Sequence, residues 1–370
     1  MAETASGEQG RPRVLVVGCG GIGGIVAANL AEMDVPVTAV TGNPAIAEVL
    51  NRQGARVREE GQERVVMGIR ALAELPPGAG PFDFILLATQ PPAVEEAARR
   101  AAPALAPDGR MVCFQNGLCE LRVAPIVGAD RVLGAIVAWG ASMLEPGLYD
   151  RTAHGGFVLG RMDGSHDAAM DTLAALLESV GPVETTGNLA GARWSKLAIN
   201  CAISALGTVG GERLGVLMRQ RFIRRLALEI MTEVVQVAHA EGVKLEKVSG
   251  TLDLEWLALT PDERMLGLGS PALFAKHTML VAVGARYRRL RSSMLAAMER
   301  GRPPAVDFLN GEIVDRAARH GIPVPVNTEI RARVHRIARG EAKPSMDYAR
   351  ALFDDTRHLR GRDAQTAVPS

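Results

Sequence analysis

Aromatic side chains are scarce in this 370-residue chain, at 4%, which argues against an exposed platform for stacking bases. A net charge is missing too. The formal value of +1 leaves no global field to recruit nucleic acid or a membrane surface. No stretch approaches the roughly 18 uninterrupted apolar residues of a membrane span. The start, Met1 to Arg13, is small and polar, without the apolar core of a signal peptide. The four cysteines, Cys19, Cys113, Cys119 and Cys201, form no CxxC pair and no metal-like spacing. They read as buried thiols of a reducing compartment rather than a disulfide framework. With nucleic acid, membrane and metal set aside, small molecules and protein partners remain, and the cytoplasm is the expected location.

Hydrophobic residues make up 47% and charged residues 22%, an ordinary globular balance. The length suits two domains better than one core. After a flexible leader over residues 1–12, Arg13-Val-Leu-Val-Val-Gly18 is an apolar run ending in glycine, the pattern of a strand buried on both faces. A helix from Gly23 to Met33 and a strand from Val35 to Val40 follow. Phe84 to Ala88 and Met111 to Phe114 repeat the buried-strand pattern, with a helical stretch Ala93 to Ala104 between them. Strands alternating with helices mean βαβ units and a parallel sheet. Gly134 to Gly160 is glycine-punctuated and strand-like, the expected far edge of that sheet, with an antiparallel strand allowed there.

Beyond about Gly191 helix-period segments dominate, including Phe222 to Glu241, Ala282 to Glu299 and Val306 to His320. The boundary is expected between Thr186 and Leu189. Leu252 to Phe274 contains Pro261 and Pro271 and reads as an insertion or lid. The predicted fold is α/β, an N-terminal Rossmann dinucleotide-binding domain over 13–187 followed by an all-α C-terminal domain over 188–340. A polar, loosely held tail is expected over 341–370.

Val17-Gly18-Cys19-Gly20-Gly21-Ile22-Gly23 matches GxGxxG through Gly18, Gly20 and Gly23. The first glycine permits a tight turn, the second lets backbone approach a pyrophosphate, and the third lets helix and strand pack closely. The next helix offers its N-terminal amides to the phosphates. Alone, the motif is equally a glycine-rich turn; following a strand and opening a helix, it reads as a dinucleotide site. Val40-Thr41-Gly42-Asn43, at the end of the second strand, holds neither the acid typical of NAD binding nor a base typical of NADP binding. Without an acid to repel a 2′-phosphate, and with Thr41 and Asn43 as donors, NADP is favoured over NAD.

Arg193 to Ser204 is the most informative helix. Lys196, Asn200 and Ser204 recur every four residues and share one face. The intervening Leu, Ala, Ile and Cys residues mean that the helix is largely enclosed, where polar groups need partners. A solvated surface face would carry several charges; this one has a single lysine followed by small neutral polar groups. The stripe reads as the lining of a cleft facing a nicotinamide, with Lys196 catalytic.

The glycine loop, the Gln115-Asn116-Gly117 turn after Phe114, and Trp194-Ser-Lys196-Leu-Ala-Ile-Asn200-Cys201 together resemble ketopantoate reductase (2-dehydropantoate 2-reductase). So do Arg291-Ser292-Ser293-Met294-Leu295, Val306-Asp307-Phe308-Leu309-Asn310-Gly311 and His320-Gly321-Ile322-Pro323-Val324-Pro325. These motifs fall in the family's order between Arg13 and Arg339. The resemblance implies that Lys196 is the general acid, giving a proton to the oxygen on which charge develops. It implies Asn116 near the nicotinamide and substrate, Asn200 bonded to the substrate hydroxyl or carbonyl, and Ser293 on its carboxylate. Asn116 is otherwise a turn residue and Ser293 a helix cap. Cofactor contacts are expected from Gly18, Cys19, Gly20, Gly21, Ile22, Gly23, Thr41, Asn43, Gln90 and Asn116.

Several positions depart from that pattern. Ser204, counted among the substrate-binding residues, stands where the family usually has Asn, and Ala305 where it has a Glu that bonds the substrate hydroxyl. Gln90 replaces a frequent cofactor-contacting Lys, and Gly42 an Arg that grips the 2′-phosphate. A pocket lacking a buried hydrogen-bonding partner need not take the same polar substrate. The expected activity is NADPH-dependent reduction of ketopantoate or a related 2-oxo acid, and a homodimer is compatible with it. The alternatives are a reductase of another carbonyl or of an imine (opine-type), and a non-catalytic NADP-binding sensor. Lys196 argues against the sensor, which needs no proton donor.

Overall fold

The computed structural model describes residues 10–248, 252–265 and 270–359. The chain separates into two compact units, Met1–Gln115 with Cys119–Leu189, and Asn116–Leu118 with Ala190–Ser370.

In the first unit the strands are β1 (Val14–Val17), β2 (Val37–Val40), β3 (Ala55–Glu59), β4 (Gln62–Val66), β5 (Arg70–Leu72) and β6 (Phe82–Leu87). Then come β7 (Leu105–Cys113), β8 (Val132–Val137), β9 (Gly140–Glu145), β10 (Leu148–Ala153), β11 (Phe157–Arg161) and β12 (Val183–Thr186). Its helices are α1 (Gly21–Glu32), α2 (Pro44–Gln53), α3 (Val94–Ala101), α4 (Glu120–Val127) and α5 (Ala168–Leu177). An eight-stranded sheet runs β12-β11-β8-β7-β6-β1-β2-β5, parallel except where β11 meets β8. All residues of β1 are buried, as a central strand covered on both faces must be. Helix starts are fixed locally: Asn43 caps α2 ahead of Pro44, and Asp167 caps α5.

A second sheet, β4-β3-β10-β9, was not expected. It takes β9 and β10 out of the Gly134 to Gly160 stretch, leaving β8 and β11 in the large sheet, whose edge is β12. It packs on α1, where the fully buried Tyr149 ring lies against Gly24.

The second unit is helical: α6 (Leu189–Gly210), α7 (Leu214–Arg219), α8 (Arg221–Ala240), α9 (Leu254–Leu257) and α10 (Pro261–Met265), then α11 (Pro271–Arg286), α12 (Ser293–Met298), α13 (Asn310–His320), α14 (Pro325–Ala338) and α15 (Met346–Asp355). The β-pairing beyond residue 200, among the described residues, is one isolated bridge between Val248 and Leu252. On α6, Trp194, Leu197, Ala198, Cys201, Ala202 and Ala205 are buried at the spacing of a core-facing stripe. α8 is enclosed nearly all round and packs against α7, α9, α11, α13, α14 and α15. No helix among the described residues is long and apolar enough to cross a membrane.

Several expectations need correction. The helix read from Ala282 to Glu299 is two helices, because α11 ends at Arg286 and Ser292 caps a new start at Ser293. Of the segment read as an insertion or lid, residues 266–269 lie outside the described residues, while Leu254, Leu257 and Leu259 are buried in the unit's core. The Lys276–Glu263 ion pair ties the segment to α11. The tail expected to be loose over 341–370 is held through its described part, since α15 buries Ala349 and Leu352 and the Ser345 amide donates to the Val209 carbonyl, while residues 360–370 lie outside the described residues. Of the leader, residues 1–9 lie outside the described residues, while Arg11 donates to the carbonyls of Met33 and Asp34.

Candidate functional site

The glycine loop leaves β1 and enters α1. The Gly18 amide donates to the Val40 carbonyl at 2.8 Å, tying the turn to β2. A Cβ on Gly23 would stand 1.9 Å from the Gly18 carbonyl oxygen, so only glycine lets α1 start this close to the strand. A Cβ on Gly20 would meet nothing within 4 Å, so that backbone faces open space at the start of a 12-residue helix with no acid in its first turn. An anionic pyrophosphate fits such a place. Gly21 lies against the Ala141 backbone and Ile22 is half-buried. The Cys19 side chain is buried, and burial pushes its thiol up to about 12. Its carbonyl accepts from the Tyr149 hydroxyl at 3.4 Å. Any contact of Cys19 with a cofactor is therefore through backbone.

At the end of β2, Thr41 and Asn43 are engaged with each other. The Thr41 hydroxyl donates to the Asn43 carbonyl at 2.7 Å and accepts from its amide at 3.1 Å, while Asn43 Oδ1 caps α2. Gly42 is exposed between them. Gln90 is exposed at the start of a short 3-10 turn, Pro91–Ala93. Gln115 spans the ends of two strands, its Nε2 donating to the Leu87 carbonyl and the Thr89 hydroxyl.

The second unit holds Asn116, half-buried, on a turn that directly follows the large sheet's chain. Gly117, at φ +93°, makes this possible: a Cβ there would be 2.6 Å from the Phe308 carbonyl. Lys196, Asn200 and Ser204 lie along one face of α6, all half-buried. Asn200 Nδ2 is buried and has no hydrogen-bond partner among the described residues, so it is able to donate to a ligand oxygen. Ser293 is exposed at the first position of α12, and the cap is its neighbour Ser292. Ser292 Oγ also donates to the Ser204 carbonyl at 2.8 Å. Ala305 begins a 3-10 turn, Ala305–Phe308, that presents the Phe308 carbonyl to Gly117. The structure thus brings Asn116, Lys196, Asn200, Ser204 and Ser293 into the second unit and the remaining candidates into the first.

Sequence reasoning missed the groups that hold α6. Ser195 Oγ donates to the Glu246 carbonyl at 2.6 Å, and Asn310 Nδ2 donates to the Cys201 carbonyl at 3.1 Å. Asn310 also donates to Asn327, which donates to the buried Glu233. The signal for the last of these was Glu233, an acid inside the apolar run of α8, which must have partners elsewhere.

A Rossmann sheet with a glycine loop, joined to an all-helical unit carrying a lysine–asparagine stripe, defines a dinucleotide-dependent oxidoreductase. Comparison with known proteins narrows the class. The model "Ketopantoate reductase PanE/ApbA" matches residues 14–164, and "Ketopantoate reductase PanE/ApbA C terminal" matches residues 188–338. The chain is 30% identical over 319 residues to 2-dehydropantoate 2-reductase of Halobacterium salinarum, covering 85% of this chain and 95% of that one. A crystal structure of a PanE/ApbA family ketopantoate reductase from Ralstonia eutropha aligns with TM-score 0.73 at 26% identity, over 89% of this chain and 99% of that one. D-mandelate dehydrogenase, solved with NADH and anilino(oxo)acetate, has the same fold at TM-score 0.73 and 17% identity, over 92% and 99%. The chain belongs to the ketopantoate reductase family, whose members are oxidoreductases acting on a carbonyl or the corresponding alcohol.

Proposed function

We propose that this enzyme uses NADPH to reduce 2-dehydropantoate, or a related 2-oxo acid, to the 2-hydroxy acid, with Lys196 as general acid. The observation that carries the reading is the face of α6. Lys196 lies one turn from Asn200, whose buried Nδ2 lacks a partner among the described residues. A positioned ammonium and an amide donor are what a carbonyl oxygen gaining negative charge requires. Bound at the glycine loop, the cofactor supplies the hydride. Gly20 would let the backbone approach its pyrophosphate, Gly18 shaping the turn and Gly23 letting α1 start close enough to offer its amides. As the carbonyl carbon is reduced, Lys196 Nζ transfers its proton to the oxygen and Asn200 Nδ2 donates to the substrate. Asn116 borders the reacting groups, and the exposed Ser293 hydroxyl meets the carboxylate. NADPH is favoured over NADH because the turn at Thr41 to Asn43 carries no acid. D-mandelate dehydrogenase has this fold with NADH bound, so the fold itself does not select the cofactor.

Ala305 favours a second substrate. Where the resemblance leads one to expect a carboxylate for the substrate hydroxyl, this turn has a methyl group. A branched 2-oxo acid without that hydroxyl loses nothing there.

The test is loss of NADPH absorbance against a panel of 2-oxo acids, with and without amines, for the parent and for Lys196→Ala. The parent is expected to turn over a 2-oxo acid without added amine. Lys196→Ala is expected to lose about 10²- to 10⁴-fold in rate with cofactor binding nearly intact. Lys196→Arg should not rescue, because guanidinium is effectively never deprotonated. Near-normal turnover by Lys196→Ala refutes the mechanism.

A further inference from the structure

We propose that Glu233, Asn327 and Asn310 are positioning residues of this reductase, a buried line of hydrogen bonds from the middle of α8 to the α6 turn that carries Asn200. The inference rests on the function proposed above. All three side chains are buried, at 1%, 0% and 0% exposure. Glu233 Oε1 accepts from the Val326 amide and Oε2 from the Asn327 amide, both at 2.9 Å. The carboxyl group thus caps α14, whose own N-cap residue, Val324, offers no side-chain bond. Asn327 Nδ2 donates back to Oε2 at 2.7 Å and to the Ile230 carbonyl at 3.2 Å. These bonds fix the orientation of the Asn327 amide, leaving its Oδ1 to accept from Asn310 Nδ2 at 2.9 Å. The second hydrogen of that amide goes to the Cys201 carbonyl.

Cys201 adjoins Asn200 on the core side of α6 and is fully buried. A bond to its carbonyl fixes the backbone of the same turn, and with it the direction of the asparagine amide and of Lys196 one turn earlier. Two further tethers share the pattern. Ser195, next to Lys196, donates to the Glu246 carbonyl, and Ser292 donates to the Ser204 carbonyl. Each polar residue of the stripe therefore stands at or beside a position held from outside the helix.

Packing alone does not call for the line. Apolar side chains at 310 and 327 together would fill this core with fewer buried polar atoms, and Asn310 leaves its own Oδ1 buried with no partner among the described residues. Unmet polar groups are tolerated where they serve geometry, and misplacing a catalytic group by about 1 Å costs up to about 10²-fold in rate.

The test uses the full chain with Asn310→Ala, Glu233→Gln, the double variant, and Asn310→Leu, which is closer in volume should the alanine variant fail to fold. Steady-state constants with NADPH and the best 2-oxo acid are measured beside urea midpoints, with Lys196→Ala in parallel. We expect kcat to fall about 10-fold or more in each single variant, within the range for a misplaced group, at unchanged KM for NADPH. The double variant should be no slower than the slower single one, because a line that acts as a unit breaks once. Parent-like kcat in a folded Asn310 variant overturns the inference, as do losses that multiply in the double variant. Should Lys196→Ala be inactive while the Asn310 variants work normally, only the positioning role fails. Should Lys196→Ala also turn over normally, the proposed function fails with it.

Discussion

Glu233→Gln makes the buried carboxylate measurable through pH as well as through rate. Burial pushes this carboxyl up from an ordinary 4.5 to about 7, against the pull of three hydrogen bonds and the Arg264 guanidinium. The folded protein therefore keeps the proton to near pH 7, whereas the unfolded chain releases it near 4.5. The associated stability is fully present below 4.5, is lost as pH rises to about 7, and stays lost above that. The interval between 4.5 and about 7 corresponds to about 3 kcal/mol. Other groups slope the opposite way. Arg and His partners hold Asp307 and Glu241 below their ordinary values despite burial, and His277 is pushed down to about 4, chiefly by burial. The parent profile alone is thus a mixture, and the difference between variant and parent isolates Glu233. Urea unfolding would be followed by tryptophan fluorescence in a Trp139→Phe background, leaving Trp194 and Trp256, both in the second unit. Glu233→Gln is expected to gain about 3 kcal/mol relative to the parent between pH 4.5 and pH 8, whatever its offset at either end. A flat difference would show that the hydrogen bonds outweigh burial and that Glu233 is ionised throughout, refuting the reasoning.

Other outcomes follow from individual residues. Calorimetry should show NADPH binding more tightly than NADH by a small margin, since the Thr41 to Asn43 turn has neither acid nor arginine; tighter NADH would mean that this turn holds a free ribose. Lys276→Met should destabilise the second unit by about 3–5 kcal/mol, because it strands Glu263, whose side chain is 5% exposed. A urea midpoint within error of the parent would contradict that. Ala305→Glu should change ketopantoate turnover little if ketopantoate is the natural substrate, and a large gain in kcat/KM would show a pocket adapted to another carbonyl.

What could be read in advance was local structure set by neighbouring residues. The loop from Gly18 to Gly23 was legible because close approach and helix geometry restrict residue type at each position, and the α6 stripe because its period is written in four-residue steps. The second sheet was not, since its core pairing sets Leu148 beside Arg56, and nothing local in two short half-polar strands announces such a distant partner. The break before Ser293 was hidden for a related reason. Residues 286–291 are rich in arginine, a good helix former, and the start of α12 is set by Ser292, which also bonds a carbonyl of α6. Asn116 shows the limit most clearly. It follows a strand of the first unit, yet the contact of Gly117 with the Phe308 carbonyl gives it to the second. The nature of a reacting group is written in its own residue and its immediate period, but its placement is decided by amides and carbonyls far along the chain. Asn310 and Ser292 both reach carbonyls of α6, so changes at these two distant positions bear on the proposed site as changes at Lys196 do.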